Sequence, residues 1–319
     1  MRLVLGCAGL AVLALASLLA GAGGFDLPAV AAGRALPHGL MVLAESRLPR
    51  TVALMLAGAG MAISGLILQV LVRNRFVEPS VAGTTEAARL GMLTVMILAP
   101  GLALPLKMLV AAVFGLAGTA LFLALLHRLP LRDALMVPLA GIMLGGVLNA
   151  LTAFIAYRLD MMQSVAAWSG GDFSAVLRGR YEILWVAFGL IVLAYIAADR
   201  FTLAGLGRDY ALGLGLNYRA VLLAGMVIVA LVSAAVVVTV GVVPFLGLIV
   251  PNLVSLALGD NLRRALPWTA LCGAGLLMAA DILGRSLNPP FEVPVGVILG
   301  VAGSAAFLVL LLRGRARVA

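Results

Sequence analysis

The side chains that could carry covalent chemistry in this chain are few and scattered. His38 and His127 are its two histidines, and both fall in connections between apolar runs. Cys7 and Cys272 are its two cysteines, each inside an apolar run. No His, Cys, Asp or Glu set has the spacing of a metal site, so both cysteines read as small core residues. Lys107, the sole lysine, has no glycine-rich turn before it. The Gly-x-x-x-x-Gly-Lys-Ser/Thr phosphate loop is therefore missing, and with it that route to ATP hydrolysis. A Ser/His/Asp site has its residue types but no motif, which makes a membrane enzyme a poor reading.

Ionisable groups inside apolar runs are costly and point to function. Glu86, Arg89 and Asp281 are the candidates. Glu86 and Arg89 stand three apart, share a helix face and are expected to pair. A proton or ion relay would need a chain of such groups across several spans, which disfavours a self-sufficient, ion-coupled secondary transporter. The most unusual stretch is Gly241-Val-Val-Pro-Phe-Leu-Gly-Leu-Ile-Val-Pro-Asn252. Proline removes a helix hydrogen bond, and glycine weakens the helix. Breaks of this kind inside lipid need support from neighbouring helices or a water-lined cavity. Gly241, Pro244, Gly247, Pro251 and Asn252 are expected to line a moving wall of a pathway.

The elements that must position these groups follow from composition. The chain has 319 residues, 64% hydrophobic and 11% charged, with a mean hydropathy of +1.18. A soluble domain has about a quarter of its residues charged. A bilayer is the solvent that fits. Ten apolar segments can be drawn: Leu3–Ala22, Thr51–Val72, Val81–Ala99, Leu104–Leu126, Ala134–Tyr157, Ile183–Ala198, Ala220–Val240, Val242–Leu258, Leu266–Leu283 and Val293–Leu312. The first is too long for a signal-peptide core and is read as a retained span. The expected fold is an all-α polytopic membrane protein of about ten transmembrane helices, forming one domain over residues 1–319.

The net charge of +9 is almost all arginine. These arginines are scattered between spans, which argues against nucleic-acid binding and for the positive-inside bias. With an inner N-terminus, the inner connections hold Arg73, Arg75, Arg128, Arg132, Arg200, Arg208, Arg219, Arg263 and Arg264, and the tail adds Arg313, Arg315 and Arg317. Arg34, Arg47, Arg50, Arg158, Arg178, Arg180 and Arg285 fall outside. The majority favours both termini in the cytoplasm. Small residues one turn apart, among them Gly60/Ser64, Gly141/Gly145 and Gly296/Gly300, mark close helix packing.

Several motifs occur in a fixed order: Arg47-Leu-Pro-Arg50-Thr51, Gly65-x-x-x-Gln69, Arg73-Asn-Arg-Phe-Val-Glu-Pro79, Trp168-Ser-Gly-Gly171, Gly241-x-x-Pro-Phe-Leu-Gly-Leu-Ile-Val-Pro251, Gly259-Asp-Asn-Leu-Arg-Arg264, Ala280-Asp281-x-x-x-Arg285 and Pro294-Val-Gly296. This ordered set resembles the FecCD family, the BtuC-like permeases of bacterial ABC importers for iron-siderophores, haem and vitamin B12. The resemblance implies an inner-membrane, multi-pass subunit that dimerises with a second permease, identical or paralogous. Two cytoplasmic ATPase subunits drive it, using ATP and Mg, and a periplasmic binding protein delivers the cargo. The permease binds no cofactor and is no enzyme.

Residue roles follow from the same resemblance. Arg47, Arg50 and Arg285 correspond to the outer arginines that receive glutamates of the binding protein, and reversing Arg47 or Arg285 to Glu is expected to weaken docking and uptake while the permease still assembles. Asn74 and Phe76 lie in the cytoplasmic gate, with Phe76 where the B12 permease has leucine. Gly207, Ala211 and Gly215, within Asp199–Arg219, match the segment that contacts the ATPase. Asn252 stands where many members have histidine. That change and the Phe76–Thr84 run look more like the branch importing catechol-type or petrobactin-like ferric siderophores than like haem or cobalamin permeases.

Overall fold

The structure is a computed structural model, and it describes residues 2–20, 41–128, 136–259, 261–289 and 291–315. His38 and the end of the first expected span, Ala22, lie outside the described residues. Among those described no strand forms, and a single bridge joins Asn288 to Phe291. The long helices are α1 (Arg2–Leu19), α2 (Leu48–Val72), α3 (Thr84–Leu98), α4 (Leu104–Arg128) and α5 (Met136–Arg158). After them come α6 (Met162–Ala167), α7 (Trp185–Ile196), α8 (Ala198–Gly205), α9 (Arg208–Gly213), α10 (Tyr218–Val240), α11 (Leu246–Leu258), α12 (Leu262–Leu287) and α13 (Val295–Arg315).

Five helical stretches are long and apolar enough to cross a membrane: Leu43–Val72, Leu104–Leu126, Met136–Arg158, Tyr218–Val240 and Leu262–Leu287. A sixth is the pair Glu182–Ile196 and Ala198–Gly205, bent by 64°. Leu3–Leu19, Leu246–Leu258 and Val295–Val309 are apolar but shorter. Helix α3, 15 residues long, is too short to be among them and carries Glu86 and Arg89. The apolar runs therefore place the helices well, and the ends differ for local reasons. Pro244 was expected inside the eighth span, but Val242–Phe245 is not helical and α11 starts only at Leu246. Before α2 the helix continues back through a π-helical turn, Leu43–Arg47. The short helices α6, α8 and α9 lie in connections that the apolar pattern left blank.

The bundle is built around α2. In the most apolar 18-residue window of its stretch 83% of residues are buried, against 28% in α5. Helices α10, α11 and α12 all pack on it. Dispersion and close packing have to hold such a bundle, because lipid is as apolar as leucine, so small residues mark the contacts. Gly58 and Gly273 do this for α2 and α12: a Cβ on Gly58 would sit 2.6 Å from the Gly273 carbonyl oxygen, and one on Gly273 would strike that of Gly58. Gly300, by contrast, faces open space. Cys7 and Cys272, expected in the core, are exposed on the bundle surface because their helix faces point away from α2.

Gly58→Leu must push α2 from α12 and is expected to cost at least about 1–3 kcal/mol as an overpacked contact. A lower unfolding midpoint of the purified protein in a denaturing-detergent titration would show it, and an unchanged midpoint would contradict this packing.

Candidate functional site

Proline at position 251 of α11 has no N–H to give to the carbonyl of Gly247 one turn earlier. An unmet carbonyl inside a membrane bundle costs several kcal/mol if left alone. Gln69 of α2 supplies the missing donor, its Nε2 lying 3.1 Å from the Gly247 oxygen. The approach is possible because both faces are glycine. A Cβ on Gly65 would overlap the Gly247 backbone.

The same α2 end controls the segment that follows it. The backbone N–H of Asn74 donates to the Gln69 carbonyl at 3.0 Å, and Arg73 takes a left-handed conformation to end the helix. Asn74 is buried, and its Oδ1 accepts from the Phe76 amide at 2.9 Å. The Phe76 ring meets Phe307 of α13 edge-on, 5.9 Å between centroids. Asn252 donates through Nδ2 to the Arg75 carbonyl at 2.8 Å and to the Leu248 carbonyl at 2.7 Å. The expected gate residues Asn74 and Phe76 and the wall residues Gly247, Pro251 and Asn252 thus form one assembly. Pro244 borders it on the non-helical stretch, and Gly241 (φ +87) turns against the Trp168 carbonyl, which accepts from Val242 N–H at 3.1 Å.

Glu78 completes that assembly and is absent from the expected site. Its side chain is buried, and Oε1 accepts from Ser80 Oγ at 2.6 Å and from the Phe245 amide at 2.9 Å. A carboxylate at the N-terminus of α11 meets the positive end of the helix dipole and its orphan N–H groups. The sequence signal was the break itself: a helix starting inside the bundle needs an acceptor, and Glu78 is the acid nearest the gate motif.

Arg47, Arg50 and Arg285 converge at the opposite end of α2, but they are engaged inside the chain rather than free at a surface. Arg47 donates to the Leu18 and Leu19 carbonyls at 2.7 and 3.3 Å. Arg285 donates to those of Ser17 and Ala20 at 3.1 and 2.8 Å. These are the orphan carbonyls at the C-terminus of α1, where a cation is favoured. Arg50 holds Asp281 Oδ1 at 2.7 Å and Glu292 at 2.8 Å, and Arg285 Nη2 lies 2.5 Å from Asp281 Oδ2. The Asp281 side chain is fully buried, and those of Arg50 and Arg285 are 12% and 5% exposed. Reversal of Arg285 would set two carboxylates against each other in this interior, so intact assembly is no longer the expected result.

Two further expectations change. Arg89 does not pair with Glu86. Its Nη1 donates to Ser169 Oγ at 3.1 Å and its Nη2 to Asn149 Oδ1, while Glu86 accepts from Thr85 Oγ1 at 3.0 Å. Each residue has a closer partner across the bundle or on its own turn. Ala211 is fully buried and cannot touch another subunit. Gly207 is buried as well, whereas Gly215 is exposed, as are the large apolar side chains of Leu206, Tyr210, Leu212 and Leu214. Gly207 (φ +112) and Gly215 (φ +75) set its turns. Asp199 pairs there with Arg263 at 2.5 Å, both exposed.

A model of the FecCD transport family matches residues 9–313. The chain belongs to the FecCD transport family. It is 47% identical over 274 residues to the petrobactin import system permease protein YclN of Bacillus subtilis, covering 86% of this chain and 87% of that one. It is 42% identical to the ferric-anguibactin transport system permease protein FatD of Vibrio anguillarum, covering 84% and 86%. Among solved structures, a metal-chelate type ABC transporter in an inward-facing conformation superposes with a TM-score of 0.79 at 25% identity, over 97% of this chain and 98% of that one. The broken α11, its Gln69 partner and the arginine–Asp281 cluster are therefore features of a FecCD-family transport chain.

Asp281→Asn leaves the buried Arg285 guanidinium without a carboxylate and Arg50 with Glu292 alone, and is expected to destabilise by about 3–5 kcal/mol. Glu45→Gln, at the exposed Glu45–Arg178 pair, is expected to change stability by less than about 1 kcal/mol. Detergent-solubilised yield and unfolding midpoints compare them. Equal effects would contradict the buried network.

Proposed function

We propose that this chain is the transmembrane permease subunit of a bacterial ATP-driven importer that moves a ferric siderophore from a periplasmic binding protein to the cytoplasm by alternating access. The observation that carries the reading is the similarity along most of the chain to relatives named for petrobactin and ferric-anguibactin transport. The broken α11 tied to the 73–80 segment supports it, since a passive anchor has no use for a helix break supported from a second helix.

In this reading the chain is one domain over residues 1–319 in the inner membrane. The five long spans, the bent pair, α3 and the three shorter apolar helices make ten crossings, with both termini in the cytoplasm. A second permease subunit, identical or paralogous, completes the pathway; α5, mostly unburied, offers a face for it or for lipid. Two cytoplasmic ATPase subunits bind ATP and Mg and do the hydrolysis, and the permease itself catalyses nothing and holds no cofactor. Tyr210, Leu212 and Leu214 form the ATPase contact with the exposed Gly215, and the buried Gly207 and Ala211 shape the segment beneath them.

Docking of the binding protein is placed at the end holding Arg47, Arg50 and Arg285. Their internal partners set its chemistry: an arriving glutamate must compete with Glu292 for Arg50, and it has far less access to Arg285. Arginine suits that exchange because its planar fork binds a carboxylate bidentately.

Reconstitution tests the proposal. Proteoliposomes holding this permease, its ATPase and its binding protein are expected to take up ferric petrobactin only with ATP. Uptake by this chain alone on an ion gradient would overturn the reading.

A further inference from the structure

A cavity of about 450 Å3 opens between α3, α5, α11 and α13, within the size range of small-molecule sites. Phe76 of the expected gate and Pro244 of the expected wall border it, and most of its lining is apolar. One face is polar, built by Arg89 and Asn149 with Glu86, Glu78 and Ser80 beside them.

Arg89 is the cation of this face, and Glu86 is the acid near it on the same helix. It is 9% exposed. Both contacts of its terminal nitrogens, Asn149 Oδ1 and Ser169 Oγ, are neutral. Its Nε is buried without any acceptor. The two carboxylates of the cavity are engaged elsewhere, Glu86 by Thr85 and Glu78 by Ser80 and the start of α11. A guanidinium inside the membrane region whose hydrogen-bond partners are neutral is expensive, and the carboxylate of Glu86 acts on it only through space. A bracket joining α3 to α5 needs only neutral side chains. A cation in its place calls for an anion that comes and goes.

We propose that Arg89 is a cargo-contacting cation of the translocation pathway, receiving an anionic oxygen of the ferric chelate as it passes the cavity. The proposal rests on reading the chain as a ferric-siderophore permease. Catecholate and carboxylate oxygens around ferric iron outnumber the charge of the metal, so such chelates are anions rich in acceptors. Arg89 offers them its charge, while Asn149 and Ser169 hold the guanidinium plane in place.

The test compares wild type, Arg89→Gln and Asn149→Asp in the full transporter, with ferric petrobactin as the probe. Asn149→Asp is the deciding variant. It keeps the shape and the contact to Arg89 but supplies a permanent internal anion. If Arg89 were only a bracket, this change would leave uptake intact. The inference predicts that at subsaturating chelate both variants lose uptake by about tenfold, the scale of one charge-assisted contact. Asn149→Asp should still co-purify with the ATPase. Wild-type uptake by an assembled Asn149→Asp transporter would overturn the role of Arg89 and leave the permease reading standing. No uptake of ferric petrobactin by the wild-type complex would overturn the substrate reading and this inference together.

Discussion

One carbonyl sets the organisation of this bundle. Pro251 cannot donate to the Gly247 oxygen, and in lipid that oxygen has no water to turn to. Gln69 meets it from α2. The contact requires glycine at 65 and at 247, and it anchors α11 to the most buried helix of the molecule. Because Gln69 also receives the chain turning out of α2 through its own carbonyl, residues 73–80 and the broken helix share one attachment point. Asn252 to Arg75 and Glu78 to Phe245 make the same connection twice more. A movement of α11 therefore has to carry residues 73–80 with it.

The far end of α2 uses charge where the near end uses neutral hydrogen bonds. Asp281 is fully buried between Arg50 and Arg285, and Arg285 joins Arg47 in closing the C-terminus of α1. Three cations and one buried acid would be an unstable interior, were it not that the α1 carbonyls carry the partial negative charge of a helix end and that Glu292 sits at the accessible side of Arg50. Helix α1 is thereby part of the network that holds α2 to α12. The two ends of α2 have different tolerances. Losing a neutral bond strains one carbonyl, whereas losing Asp281 strands the charge of Arg285 and leaves Arg50 with Glu292 alone.

Much of this was readable in the residues. The apolar runs located the helices, and the prolines and glycines of 241–252 marked the helix that would be irregular. The resemblance brought Arg47, Arg50, Arg285, Asn74 and Asn252 to notice. What the chain order could not show was pairing across the bundle. Gln69 stood in a recognisable motif with no stated physical task, because its partner lies 178 positions away. Asp281 read as an isolated acid and Arg50 as a docking cation until packing put them together. Glu86 and Arg89, three apart, looked like partners on helix geometry alone; Asn149 and Ser169 come from other elements and take the guanidinium instead. Ala211 looked like a contact residue because the resemblance marks its segment as one, yet periodicity over six helical residues cannot tell which side is buried.

The claim that the Pro251 defect is met by Gln69 is tested most directly by a double-mutant cycle on stability. Gln69→Leu should destabilise by about 1–3 kcal/mol by leaving the Gly247 carbonyl unpaired. Pro251→Ala returns the N–H to that carbonyl, so in its background the same Gln69→Leu change should cost far less. Equal costs in both backgrounds would contradict the account, since Gln69 would then be doing something other than replacing the bond that proline removes.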